Sequence, residues 1–321
     1  AVLAVCRAHG APVLARGGGT SMCGQSVNVA VVIDCSKYMD RVLSIDAAAR
    51  SALVEPGVVC DSLSAAAAGH GLVFGPDPAT HSRCTLGGMI GNNSCGAHSV
   101  MAGKTVENIE ALEVATYDGA RFWCGPTDDA AFETILARND RQAEITRGLK
   151  MLADRYGDLI RAGFPKIKRR VSGYNLDQLL PENGFNVARA LVGSEGTCAL
   201  TLQAKATLVK NPRHRLLLVQ GYADVYAAGD AVPEILAAGP IACEGLDEPI
   251  VGGLRERRLR LEDLGLLPEG RAWLLIEFGG DTLAEAIDRA SALRGRIVTD
   301  PAQIGRLWAI RETGASATAL N

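Results

Sequence analysis

Three segments rich in glycine and small polar residues have the composition of a binding site for a phosphate-containing ligand. The first, residues 16–21, reads Arg-Gly-Gly-Gly-Thr-Ser and follows a short apolar stretch. Its glycines leave successive backbone N–H groups open, and it adds one cation and two hydroxyls, which are the groups that a pyrophosphate needs. A glycine-rich surface turn explains these six residues equally well when they are taken alone.

The other two segments lie far from the first along the chain. Residues 76–96 contain Pro-Asp-Pro, then Thr-Leu-Gly-Gly-Met-Ile-Gly-Asn-Asn-Ser-Cys-Gly, and residues 193–197 read Gly-Ser-Glu-Gly-Thr. By themselves they fit a proline-ordered loop and a β-turn. Three such segments in one chain indicate a long ligand that lies across several strands, and an adenine dinucleotide has that length.

Composition limits the other classes of function. The net charge is −3 and charges of both signs are dispersed, so no basic face predicts binding to nucleic acid or anionic lipid. The nine cysteines lie at least eleven residues apart, which predicts free thiols and a reducing, cytoplasmic compartment. Neither a Cys-x-x-Cys pair nor a His-x-x-x-His pair occurs, so no metal site is expected, and no apolar run is long enough for a transmembrane helix.

The elements that position these segments can be read from periodicity and turn residues. The β-branched run after the first glycine segment predicts a strand where a Rossmann unit would have a helix. Residues 75–103 are so rich in Gly, Pro, Asn and Ser that little regular structure is expected there. Helices are predicted over residues 1–9, 60–68, 130–137 and 142–160. Strands are predicted over residues 12–15, 27–33, 42–45, 52–54, 109–117, 120–124, 188–192 and 200–209.

A second α+β region begins after Asn211-Pro212. Strands are predicted over residues 216–222, 241–245 and 272–278, and helices over residues 225–238, 282–293 and 306–320. The expected division is a first domain over residues 1–211 and a second over residues 212–321. Because the chain starts at Ala1 and stops within a predicted helix, we expect it to be a fragment truncated at both ends.

In their order and residue content the three segments resemble the FAD-linked oxidase family of the vanillyl-alcohol oxidase fold. The resemblance is closest to D-lactate, glycolate and D-2-hydroxyglutarate dehydrogenases, in particular to long bacterial members with a downstream iron–sulfur half. It implies an α+β fold, with a two-subdomain PCMH-type FAD-binding domain over residues 1–211. The incomplete start of a substrate domain, an antiparallel sheet with helices, would follow over residues 212–321.

The resemblance also implies roles for individual residues. The first segment would hold the diphosphate, Pro76 and Asp77 would lie beside the flavin, and residues of the second and third segments would contact the rest of the cofactor. The implied FAD-binding residues are Arg16, Gly17, Gly18, Gly19, Thr20, Ser21, Pro76, Asp77, Thr85, Gly88, Asn92, Asn93, Ser94, Glu195 and Gly196. Relatives with a covalent flavin carry a histidine where this chain has Gly-Thr-Ser, so non-covalent FAD is expected.

For catalysis, the resemblance implies oxidation of a D-2-hydroxy acid such as D-lactate or D-2-hydroxyglutarate. Hydride would pass to flavin N5 and electrons to an unidentified acceptor other than NAD, and Arg311 would hold the substrate carboxylate. In relatives the catalytic base lies downstream of residue 321, so an incomplete active site is expected. Any association with a membrane would be peripheral and would involve regions absent from this chain. Two alternatives stay open: a flavin reductase that takes NADPH, and a flavin-binding or electron-transfer module without catalysis of its own.

Overall fold

The computed structural model describes the backbone of residues 1–318 and the side chains of residues 1–314. The chain forms two compact units. The first contains Ala1–Cys95 and Ala102–Lys210, and the second contains the short segment Gly96–Met101 together with the chain from Asn211 onward. The second unit therefore includes six residues from the middle of the first region, which the sequence did not predict.

A five-stranded antiparallel sheet, in the order β3-β4-β8-β6-β7, is the centre of the first unit. A parallel pair, β1-β2, and an antiparallel pair, β5-β9, complete its strands. The strands are β1 Val13–Arg16, β2 Val31–Asp34, β3 Val42–Asp46, β4 Ser51–Val54, β5 Leu72–Val73, β6 Ile109–Ala115, β7 Arg121–Cys124, β8 Leu200–Thr207 and β9 Val209–Lys210. The helices are α1 Val2–Ala8, α2 Cys60–Ala68, α3 Leu86–Asn92, α5 Asp129–Ala137, α6 Arg141–Gly163 and α7 Val187–Leu191, while α4 Ser99–Ala102 lies mostly in the segment that belongs to the second unit.

The expectation of little regular structure over residues 75–103 is wrong, because helix α3 lies inside this segment. The hydroxyl of Thr85 accepts the N–H of Gly88 and so caps the first turn, while Leu86, Met89 and Ile90 are buried on one face at helical spacing. Asn93 ends the helix in the left-handed conformation with φ 56°. Burial of three apolar side chains outweighs the low helix propensity of the glycines between them.

Two strand predictions also need correction. Residues 188–191 belong to helix α7, which begins where the Asn186 side chain accepts the N–H of Arg189 and ends before Val192. In the run 27–33 only the last three residues belong to a strand, since β2 begins at Val31. A short apolar run does not distinguish a buried helix from a buried strand, and here the N-cap determines the outcome.

The second unit is a four-stranded antiparallel sheet in the order β11-β12-β10-β13. Apolar side chains alternate along its strands and form a separate core on each face. Helices α9 and α12 supply the core of one face, and α8 and α11 supply the core of the other. The strands are β10 His214–Tyr222, β11 Ala242–Asp247, β12 Ala272–Gly280 and β13 Arg296–Val298. The helices are α8 Val225–Ala237, α9 Glu248–Glu256, α10 Leu261–Leu264, α11 Leu283–Ser291 and α12 Pro301–Thr318. The α+β fold class is thus confirmed.

Candidate functional site

The three glycine-rich segments meet at one cavity in the first unit, with a volume of about 390 Å³. Strand β1 leads into the first segment, helix α3 lies within the second, and helix α7 leads into the third. Thirteen of the fifteen predicted cofactor-binding residues line this cavity: Arg16, Gly17, Gly18, Gly19, Thr20, Ser21, Thr85, Gly88, Asn92, Asn93, Ser94, Glu195 and Gly196.

Pro76 and Asp77, the other two predicted residues, do not line the cavity. Pro76 is buried behind the wall, where its carbonyl accepts the thiol of Cys60 at 3.5 Å. At this point the wall is formed by Pro78 and Thr80, which follow within the same motif.

The first and second segments touch so closely that glycine is required at their contact. A Cβ at Gly17 would lie 1.9 Å from the hydroxyl oxygen of Thr85, and one at Gly18 would lie 2.2 Å from the backbone oxygen of Arg83. Gly19 has φ +64°, which L side chains rarely adopt. The glycines of the first segment therefore do two things: they let the segments pack, and they leave the backbone open toward the cavity.

The first segment offers hydrogen-bond donors without protein acceptors. Among the described residues no acceptor is found for the backbone N–H groups of Gly18, Gly19, Thr20 and Ser21. The guanidinium of Arg16 lies beside them, since a Cβ on Gly19 would be 3.1 Å from its Nη2 atom. Successive N–H groups next to a cation suit an anionic ligand such as a diphosphate.

Asn93 provides a donor that is buried as well as unpaired. Its Oδ1 atom accepts the N–H of Val106 at 3.1 Å, which fixes the orientation of the amide. Its Nδ2 atom is buried and has no partner among the described residues. An unpaired buried donor costs roughly 1–3 kcal/mol, so native proteins rarely retain one without a ligand or water to accept it. Because Asn93 lines the cavity, a ligand acceptor there would remove this cost.

The third segment is held against the end of α3 by its backbone. The N–H of Gly193 donates to Ile90 at 2.8 Å, and the N–H of Glu195 donates to Gly91 at 2.9 Å. Glu195 adopts φ 53°, and the partial burial of its carboxyl raises its pKa. This part of the wall therefore carries a carboxyl that is easier to protonate than an ordinary glutamate.

Sequence reasoning missed the apolar part of the wall. Val114 on β6, Leu191 on α7 and Thr201 on β8 line the cavity, although none stands in a glycine-rich segment. Such residues look like ordinary core residues in the sequence, and only the topology of the sheet shows which of them face a ligand.

The predicted substrate-binding residue Arg311 lies on α12 of the second unit. Its Nε atom is 3.2 Å from the Oε2 atom of Glu244 on β11, and both side chains are largely buried. In the structure, Arg311 therefore forms an ion pair with Glu244.

A second polar network in the same unit centres on Glu277 of β12, which is only 2% exposed. Its carboxylate contacts Arg215 at 2.9 Å, His98 at 3.2 Å and the indole N–H of Trp308 at 3.0 Å. Burial alone would raise the pKa of Glu277, but His98 and Arg215 more than compensate and hold it below the usual range. His98, which belongs to the Gly96–Met101 segment, is thus a hydrogen-bonding residue of the second unit.

Comparison with known families matches both halves of the chain. Residues 1–125 match a model described as FAD binding domain, and residues 211–320 match one described as FAD linked oxidases, C-terminal domain. The chain belongs to the FAD-linked oxidase family. This confirms the resemblance seen in the sequence, and it indicates FAD as the cofactor.

Individual relatives are longer than this FAD-linked oxidase chain. A D-2-hydroxyglutarate dehydrogenase of Pseudomonas putida is 34% identical over 237 residues, which are 74% of this chain and 24% of that protein. The glycolate oxidase subunit GlcD of Bacillus subtilis is 29% identical over 300 residues, 91% of this chain and 52% of that protein. The chain thus spans about a quarter of the first relative and about half of the second.

Among solved structures, an alkyldihydroxyacetonephosphate synthase superposes with a TM-score of 0.62 at 16% identity, covering 99% of this chain and 55% of that one. At this identity the likeness shows the fold alone. In the described residues of the oxidase, no helix has both the length and the apolar character needed to cross a membrane. No cluster of three or more potential metal ligands is present in the same residues.

Proposed function

We propose that this chain binds FAD non-covalently in the cavity of the first unit and forms the flavin part of a D-2-hydroxy-acid dehydrogenase. The domains would be an FAD-binding domain over residues 1–211 and a substrate domain beginning at residue 212. The observation that carries the proposal is the meeting of thirteen predicted residues around one cavity that contains the unpaired Asn93 donor.

The groups present fit the parts of FAD. The N–H groups of residues 18–21 and the Arg16 guanidinium would hold the diphosphate, and Asn93 would donate to an oxygen or ring nitrogen of the cofactor. Within the described residues no histidine lines the cavity, and we assign Cys95, which does, to the wall rather than to a bond with the flavin. These features support non-covalent binding.

For the substrate, we propose a small 2-hydroxy acid whose carboxylate is held by Arg311. The supporting observations are the relatives named D-2-hydroxyglutarate dehydrogenase and glycolate oxidase subunit, and the largely buried position of this guanidinium. Bound FAD would supply the acceptor for a hydride from the hydroxyl-bearing carbon, and the electrons would then leave to an acceptor other than NAD. Glu244 holds Arg311 in one orientation before substrate arrives.

The test is an anaerobic absorbance spectrum of the purified natural full-length protein with FAD, recorded before and after addition of D-lactate or D-2-hydroxyglutarate. Flavin bands that bleach with one D-acid and persist with its L-isomer are the expected result. A folded sample that takes up no FAD would contradict the proposal at its first step.

A second candidate is a flavin-binding or electron-transfer module that does not oxidise substrate by itself. The Arg311–Glu244 ion pair favours it, because an arginine already neutralised by a buried acid has less charge to offer a carboxylate. Flavin bands that form but resist both D-acids would support this candidate over the dehydrogenase.

Replacing Asn93 by aspartate tests the unpaired donor. Asn93→Asp keeps the shape, the tolerance for φ 56° and the acceptor for Val106, and it replaces the Nδ2 donor with a carboxylate oxygen that also carries negative charge. We expect FAD affinity, measured by quenching of flavin fluorescence, to fall by about 10-fold or more, since a lost buried hydrogen bond costs roughly 1–3 kcal/mol. Asn183→Asp, an exposed position whose amide bonds only a backbone oxygen, is the control and should bind FAD normally. Equal affinity in both variants would show that Nδ2 does not contact the cofactor.

Arg311 is tested by separating substrate binding from cofactor binding. For Arg311→Gln we expect KM for the D-acid to rise by roughly 10- to 100-fold with unchanged FAD affinity, because charge-assisted hydrogen bonds contribute about 1.5–3 kcal/mol. Glu244→Gln removes the same ion pair and leaves the guanidinium in place. If both variants lose only stability and neither changes KM, Arg311 has a structural role.

A further inference from the structure

Two buried cysteines of the first unit face each other across a short antiparallel contact. Val59 and Thr85 form an antiparallel bridge, the N–H of Cys60 donates to the carbonyl of Cys84 at 3.0 Å, and the N–H of Leu86 donates to Val58 at 2.8 Å. This pattern places Cys60 directly opposite Cys84, although the two are distant in sequence. Both side chains are buried.

The backbone geometry of this contact suits a disulfide. The N–H of Cys84 donates to Thr80, so Cys60 and Cys84 share one of the two hydrogen bonds of an antiparallel pair, in which opposite Cα atoms lie about 4.5–5.5 Å apart. Disulfides join Cα atoms roughly 4.4–6.8 Å apart, so this backbone arrangement is compatible with a cross-link between the two residues.

The two thiols differ in their chemistry. The neighbouring Cys84 sulfur, together with burial, raises the pKa of Cys60. The neighbouring Cys60 lowers the pKa of Cys84 against the effect of burial, and Thr80 and His81 contribute in the same direction. Cys60 therefore keeps its proton while Cys84 is the better thiolate, and the thiolate is the nucleophilic form of cysteine.

The two thiols also differ in their access to solutes. Cys84 lines the cavity and Cys60 does not. A small molecule that enters the cavity would therefore meet Cys84 first, with Cys60 directly behind it. A cysteine of lowered pKa beside a second thiol is the arrangement that oxidation-sensitive sites use.

We propose that Cys60 and Cys84 form an oxidisable dithiol site, which a small hydroperoxide that enters the cavity converts into a disulfide. This proposal does not depend on FAD binding. Among the nine cysteines of the chain it selects one pair, with Cys84 as the attacking sulfur and Cys60 as the resolving one.

The chemistry balances with one molecule of hydrogen peroxide. The Cys84 thiolate attacks one peroxide oxygen, the S–O bond forms as the O–O bond breaks, and the departing hydroxide takes a proton to give water and a sulfenic acid on Cys84. The Cys60 sulfur then attacks the Cys84 sulfur, the S–S bond forms as the S–O bond breaks, and the thiol proton leaves with the hydroxide as a second water. Two thiols are oxidised to one disulfide and the peroxide is reduced.

The test uses the reduced, purified chain without FAD, treated with equimolar hydrogen peroxide and mapped by mass spectrometry of non-reduced peptides. We expect a cross-linked pair of peptides that contain Cys60 and Cys84, lighter by two hydrogens and restored by dithiothreitol. Cys60→Ser should lose the cross-link and leave a sulfenic acid on Cys84 that dimedone labels, whereas Cys84→Ser should lose both products. Cys124, whose pKa burial raises to about 12, is the internal control and should stay reduced.

The proposal is wrong if peroxide oxidises the exposed Cys23 and Cys198 while Cys60 and Cys84 of the unsubstituted chain stay reduced. It is also wrong if dimedone labels Cys60 in preference to Cys84. The peptide map of the unsubstituted chain shows whether peroxide oxidises Cys60 and Cys84, so this result does not require that either serine variant folds.

Discussion

Gly18→Ala is expected to lower FAD affinity by about 10- to 100-fold, with a lower thermal midpoint of the first unit. The added methyl group would lie 2.2 Å from the backbone oxygen of Arg83, so one of the two segments must move. Forcing an extra carbon into a packed contact costs roughly 1–3 kcal/mol, and about 1.4 kcal/mol corresponds to a tenfold change in affinity. Fluorescence titration with FAD and thermal unfolding of the cofactor-free chain measure the two effects.

The matched control is Gly148→Ala in helix α6 of the same unit. A Cβ there meets nothing within 4 Å, and alanine is favoured over glycine inside a helix by roughly 1 kcal/mol. This variant should therefore bind FAD normally and unfold at the same or a higher temperature. If Gly18→Ala has the same FAD affinity and thermal stability as Gly148→Ala, the first and second segments do not make the close contact described above.

Glu277→Gln is expected to destabilise the second unit by about 3 kcal/mol at neutral pH. The substitution removes the charge that Arg215 and His98 both face and leaves the Arg215 guanidinium without its carboxylate partner. Breaking a buried ion pair from one side costs roughly 3–5 kcal/mol, and the partial exposure of Arg215 places the estimate at the lower end. Urea unfolding followed by tryptophan fluorescence measures the change, since Trp308 contacts Glu277 directly.

The same variant has a predicted pH dependence. Because the folded protein lowers the pKa of Glu277, its contribution to stability is complete above the ordinary value of 4.5 and is lost as pH falls through the lower, folded value. The stability difference between the unsubstituted chain and Glu277→Gln should therefore shrink as pH falls below 4.5. Glu248→Gln, which removes an exposed ion pair with Arg255, should cost under about 1 kcal/mol and show no such convergence. A difference that stays constant with pH would mean that Glu277 is not the charged centre of this network.

The parts of the site that the sequence predicted are those with a local cause. A backbone that must approach a phosphate or a neighbouring chain needs glycine, and this need is visible at Gly17 and Gly18 without knowledge of the fold. The hairpin at residues 109–124 and the helix at residues 60–68 were predicted for similar reasons, from a turn dipeptide and an alanine-rich run. Their outcome depended little on distant residues.

The parts that the sequence did not predict depend on distant contacts. Helix α3 was not predicted because the glycines around Met89 have low helix propensity, whereas the burial that stabilises this helix comes from contacts with other elements. The orientation of the Asn93 amide depends on the hydrogen bond that the N–H of Val106 donates to its Oδ1 atom. Cys60 and Cys84 face each other because of one β-bridge between separate segments. Neither the Asn93 contact nor the facing of the two cysteines leaves a periodic or compositional signal in the sequence.

Because Gly96–Met101 belongs to the second unit, the two units cannot be separated by a single cut in the chain. A gene divided at the predicted domain boundary near residue 211 would give a C-terminal half that lacks His98, and His98 is one of the partners of the buried Glu277. Co-expressed halves would then have to restore that contact across a break in the chain, so complementation rather than independent folding is the expected behaviour. A chimeric protein would need to exchange residues 96–101 together with the second unit, because His98 in this segment contacts Glu277 of strand β12.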